Sequence, residues 1–139
     1  NSNAVLTNLE QVDTDGFGGI GTAMTQSSGI FTFPTTGIYL ITGTAYLYRE
    51  NSGSANVTLQ LQTTTDNSNY NGAAISAAIV ENVSAYEANI NLSFMFDVTD
   101  TSTHKCKFMA SSNNNNIATM YAETAQNTTY FTFLRLGDT

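Results

Sequence analysis

The 139-residue sequence carries one cysteine, one histidine, one proline, no tryptophan and four cationic side chains, and each scarcity closes off a class of function. With Cys106 alone, no disulfide forms within the chain; with His104 the only imidazole, a structural zinc lacks its ligand set. His104-x-Cys106 reads as one polar and one buried strand position, so no metal site is expected there. The cations are Arg49, Lys105, Lys107 and Arg135, and the net charge is −7. Nucleic acid and anionic lipid are bound through clustered Lys and Arg, so neither is expected as a partner. No apolar run approaches the roughly 20 residues of a membrane-spanning helix, and no membrane insertion is expected. Neither an initiating Met nor a signal-peptide pattern opens the sequence, which reads as a fragment or the C-terminal head of a longer chain.

What is abundant points to strands. Thr, Tyr, Phe, Val and Ile are plentiful and helix formers are few. Seven Tyr and eight Phe supply a packed core that a disordered chain would not carry. With 16 Asn, 22 Thr and 12 Ser against 15 charged residues, solubility rests on amides and hydroxyls. The length suits one domain, residues 1–139, with neither an internal repeat nor a second unit.

Alternation is the strongest local pattern. Val57, Leu59 and Leu61 oppose Asn56, Thr58, Gln60 and Gln62; Ala88, Ile90, Leu92, Phe94, Phe96 and Val98 oppose Asn89, Asn91, Ser93, Met95 and Asp97. A period of two with one apolar face describes strands with core on one side and water on the other. Residues 38–49 and 130–136 differ, being apolar or aromatic on both sides. One face of the first holds Tyr39, Ile41, Gly43, Ala45 and Leu47, the other Ile38, Leu40, Thr42, Thr44, Tyr46 and Tyr48; Tyr130 and Leu134 alternate with Phe131 and Phe133. A single sandwich covers one face only, so a subunit interface is the economical cover for the second. Turn-forming residues at 34–37, 51–54, 66–72, 100–103 and 111–116 separate strands expected at 4–12, 22–26, 30–33, 37–49, 55–64, 74–81, 87–98, 103–111, 117–123 and 128–136. About ten short strands predict an all-β, two-sheet antiparallel jelly-roll sandwich that forms trimers.

The stretch Gly29–Tyr48, GIFTFPTTGIYLITGTAYLY, resembles the centre of the tumour necrosis factor and complement 1q superfamily, with Phe31, Gly37, Tyr39 and Ile41 at its spaced positions. Met120-Tyr121-Ala122, a polar loop and Thr129–Leu134 are similar to the last strands of complement 1q heads, and Phe94–Asp100 with Lys105–Phe108 to the hairpin before them. The likeness runs from about residue 20 onward; the family's upstream Asn/Asp and aromatic positions fall near Gly19 and Met24, which do not match, and no collagen-like stalk is present. The resemblance implies a compact homotrimer whose inner sheets meet around a threefold axis. Tyr39, Ile41, Tyr130, Phe131 and Phe133 are then the expected interface residues.

Chemical motifs are sparse. Gly16-Phe17-Gly18-Gly19-Ile20-Gly21 has glycines at dinucleotide-site spacing but neither a helix pattern after it nor an acid until Glu50, and reads as a turn. Asp13-Thr14-Asp15-Gly16 lacks the later ligands of an EF-hand loop. No cofactor is expected, with calcium at some acid pair left open because some family members hold it near the trimer apex. No Gly-x-Ser-x-Gly elbow exists, and Glu81, Glu87 and Asp97 lie on separate elements, so the chain is not expected to be an enzyme. The sequons at Asn56, Asn82, Asn91 and Asn127 match the number that composition alone gives. Tyr70 and Tyr86, in or beside loops, are the candidate ligand contacts. The expected role is a virion structural or binding module at a virion or extracellular surface: a phage fibre head or capsid decoration that contacts other virion proteins or attaches to a host glycan or protein. A secreted complement 1q-like adhesion or signalling head is the alternative, and a small carbohydrate-active enzyme a third.

Overall fold

The computed structural model describes residues 3–12, 16–114 and 116–139. They form ten strands and no helix: β1 (Ala4–Val5), β2 (Thr25–Ser27), β3 (Ile30–Thr32), β4 (Gly37–Arg49), β5 (Ala55–Thr64), β6 (Asn71–Val80), β7 (Glu87–Val98), β8 (Lys105–Ser112), β9 (Ala118–Tyr121) and β10 (Tyr130–Gly137). One antiparallel sheet runs β2-β3-β8-β5-β6, with β1 beside β8; the other runs β10-β4-β7, with β9 also on β4. The chain changes sheet between β3 and β4, β4 and β5, β6 and β7, β7 and β8, and β8 and β9. The result is an all-β jelly-roll sandwich.

The alternating strands set the core. Val57, Leu59 and Leu61 of β5 and Ile90, Leu92, Phe96 and Val98 of β7 are buried, while Asn89, Asn91 and Ser93 stay in water. β4 pairs with β7 over twelve positions, from Gly37 opposite Val98 to Tyr48 opposite Glu87. Between the sheets lies an aromatic cluster. The Phe108 ring stacks on Phe131 with centroids 3.7 Å apart, and Phe31 meets Phe133 at 5.0 Å. Each large apolar side chain fully withdrawn from water contributes roughly 1.5–3 kcal/mol.

Gly37 closes the turn that follows Pro34. Its φ of +141° suits glycine, and a Cβ there would collide with the Gly137 carbonyl and the Arg135 side chain. The Tyr39 hydroxyl donates to the Thr35 carbonyl at 2.9 Å and tethers the same turn.

Two edges depart from the sequence expectation. Of 4–12 only Ala4–Val5 is strand, opposite Ala110 and Met109; the Leu6 amide makes one more bond, to the Phe108 carbonyl. The strand expected at 22–26 is Thr25–Ser27, because Ser28 and Gly29, both at positive φ (52° and 78°), make a two-residue hairpin turn into β3.

The larger correction concerns the expected interface residues. Tyr39 and Ile41 are 3% and 0% exposed within the single chain and line its core. Phe131 and Phe133 also face inward, against Phe108 and Phe31. Alternation divides a strand into two faces but does not say which face the second sheet covers. Of the five residues, Tyr130, opposite Thr44, alone lies on the outward side.

Candidate functional site

The outward face of the β10-β4-β7 sheet is where unspent apolar surface collects. Register places Leu40 between Leu134 of β10 and Met95 of β7, a row across all three strands. Met95 is 61% exposed and Leu134 50%, with Leu136 similarly open at the bulge beside it. The middle of the face is polar: Thr42 and Thr44 between Thr132 and Tyr130 on one side and Ser93 and Asn91 on the other, with the Thr44 hydroxyl donating to the Asn91 side-chain carbonyl at 2.9 Å.

At its far end the face turns aromatic and acidic. β9 brings Tyr121 opposite Tyr46 and Thr119 opposite Tyr48, while β7 brings Glu87 opposite Tyr48. Tyr46, Tyr48, Tyr121, Glu50 and Glu87 line a depression of about 350 Å³. The Tyr46 and Tyr121 rings stand 6.1 Å apart with their planes at 71°, so they form two walls of a corner. Hydrogen bonding to the Glu87 carboxylate, with partial burial and the acid's negative charge, pushes the Tyr46 phenol up to about 12. Tyr48 and Tyr121 are 37% and 44% exposed.

The other expected positions lie elsewhere. Tyr70 is half-buried at the end of the β5–β6 hairpin; its hydroxyl has no partner, Lys107 Nζ sits 4.1 Å above its ring, and burial raises its pKa. Tyr86 is half-buried and packs against the core, and its carbonyl accepts from the Arg49 amide. The two lie at opposite ends of the β5–β6 hairpin and are not brought together. Glu81, Glu87 and Asp97 do not gather; Glu87 is joined by Glu50 instead.

His104 stacks on Phe96 with its nitrogens near the Thr99 and Thr103 hydroxyls, at 3.3 and 3.1 Å. Cys106 is fully buried, which pushes its thiol well up. Among the described residues no group of three or more His, Cys, Asp or Glu could hold a metal ion. Asp13, Thr14 and Asp15 of the expected calcium-like turn lie outside the described residues. Gly16 lies in a turn and Ile20–Thr22 in a bend, with irregular backbone between them and no helix behind.

Sequence reasoning missed Glu50 and the joint role of Tyr46, Tyr48 and Tyr121. The signal available was the position of Tyr46 and Tyr48 on the outward parity of β4, but the pairing of β9 with β4 that adds Tyr121 spans about seventy residues and has no local trace. The chain matches no protein-family model and no curated protein by sequence.

Proposed function

We propose that this chain is a non-catalytic, trimer-forming jelly-roll module of a virion surface, a fibre head or capsid decoration that attaches to a host surface. The observation that carries the reading is the outward face of the β10-β4-β7 sheet, where Met95, Leu134 and Leu136 lie open beside Leu40 with no cover among the described residues. A closed ring of copies uses a heterologous contact, which needs two different surfaces. The exposed Ile75 and Ile79 supply the second, on the edge strand β6, whose sequence carries no charge. A face without charges at its centre lets copies bearing −7 each approach without local repulsion. The resemblance of Gly29–Tyr48 to the tumour necrosis factor and complement 1q superfamily supports a threefold ring over other closed rings. The Asn, Thr and Ser surface and the single, buried Cys106 support a virion origin over the alternative, a secreted adhesion or signalling head.

Light scattering during size exclusion tests the assembly: a mass three times 14.9 kDa is expected for the native chain. Leu134→Asp is expected to give folded monomer, because a charge buried at a contact without a partner costs several kcal/mol. A native monomer, or a Leu134→Asp trimer, overturns the reading.

One observation favours a second reading. Glu50 and Glu87 share a depression with three tyrosines, the composition of a carbohydrate-active site. Both carboxylates are exposed, whereas a glycosidase acid is made by burial against apolar walls. Release of chromophore from a panel of aryl glycosides, lost in Glu87→Gln, would establish that activity in place of the binding role.

A further inference from the structure

We propose that the Tyr46–Tyr48–Tyr121–Glu50–Glu87 depression is a binding site for an organic cation of the quaternary ammonium type, such as a choline headgroup. The walls are tyrosine rings, two of them at 71° to each other, so a cation in the corner meets more than one ring. Ring faces carry negative charge density and attract weakly hydrated cations. Glu50 and Glu87 stand at the same depression, and Glu123 approaches the Tyr121 hydroxyl at 3.5 Å.

No cationic side chain of the protein serves these acids. Arg49 Nη1 donates to the Asn82 side-chain carbonyl at 2.9 Å and to the Asn51 carbonyl at 3.3 Å. Lys105 Nζ donates to the Thr101 carbonyl at 2.6 Å, Lys107 sits over Tyr70, and Arg135 pairs with Asp138. Among the described residues the one ion pair is Arg135 with Asp138, so Glu50 and Glu87 have no salt-bridge partner and their carboxylates stay available to a cationic ligand. A neutral sugar could donate hydroxyl hydrogen bonds to these carboxylates but would leave their two charges unneutralised. A primary ammonium would trade three hydrogen bonds to water for those of exposed carboxylates, one of which already faces Tyr46; a methylated ammonium has no such bonds to lose.

The site lies six residues along β4 from the Leu40 row, roughly 20 Å at strand rise, so subunit contact at that row leaves it at the rim. It rests on the proposed assembly only for its threefold repetition.

Choline chloride added to the native protein, followed by ligand-observed saturation-transfer NMR, tests the assignment, with sodium chloride at matched ionic strength and methyl glucoside as parallel arms. Transfer to the choline methyl groups is expected, displaced by tetramethylammonium. Tyr121→Leu should weaken it about tenfold, since the substitution keeps apolar bulk and removes the ring face. Glu87→Gln should weaken it several-fold, and Tyr70→Phe, distant from the site, should leave it unchanged. No transfer from choline, transfer unaffected by both site variants, or transfer to methyl glucoside in preference to choline overturns the proposal. Mass measured on the same samples separates the two ideas: choline binding by a monomer removes the trimer alone, and a trimer deaf to choline removes the cation site alone.

Discussion

The two sides of β4 have similar composition and opposite fates. Inward, Tyr39, Ile41, Ala45 and Leu47 are sealed by the second sheet and by the Phe31, Phe108, Phe131 and Phe133 cluster. Outward, Leu40, Tyr46 and Tyr48 keep part of their surface in water beside Met95, Leu134 and Tyr121. The outer face of the other sheet shows a different solution at its centre, where Gln62 donates to Gln60 at 2.9 Å and Thr58 bonds Ser111, its exposed apolar residues Ile75 and Ile79 lying out on the β6 edge. On the β4 side the Thr44–Asn91 pair does the same at the centre, but the Leu40, Met95 and Leu134 row beyond it is contiguous apolar surface of the kind that marks an interaction site.

Substitutions can break this contrast at graded strength. Ile41→Asp should abolish folding, seen as loss of the cooperative denaturation transition, because it buries an unpaired charge at a position with no exposure. Gly43→Ala should cost about 1–3 kcal/mol in urea unfolding, as the added Cβ would lie 2.9 Å from the Phe131 ring; a change near zero would mean the inward face is loosely packed. On the outward side, Thr44→Val should shift stability by no more than about 0.5 kcal/mol, since its bond to Asn91 is exposed to water. Smallest is a pH effect at the acidic end. Tyr46 has its folded-state pKa raised from 10.0 to about 12, so its contribution is complete below pH 10 and is lost as pH rises toward 12. Tyr46→Phe should remove the latest-titrating part of the phenolate absorbance curve.

Much of the fold was legible because alternation is local. The spans expected for β4, β5 and β7 match the structure residue for residue, and β8 and β10 fall within two residues. The ends were harder. The Ser28-Gly29 turn lacks an Asn-Gly or Asp-Gly signature, and residues 6–12 alternate weakly but find no partner strand after Leu6. The site was barely legible: Tyr70 and Tyr86 looked exposed because they neighbour polar loops, yet one lies beneath Lys107 and the other leans on the core.

The sequence alone determined that this is a β-sandwich with excess apolar surface, because a two-residue period and a shortage of helix formers put most of the fifteen Phe and Tyr rings on alternating strands. Only the tertiary structure decided which side of β4 and β10 is core. That choice depends on where the opposite sheet docks, a long-range packing outcome that strand parity leaves symmetric. The same docking turned Phe131 and Phe133 inward, while long-range strand pairing within the β4 sheet brought Tyr121 and Glu87 beside Tyr46, which no spacing along the chain could announce.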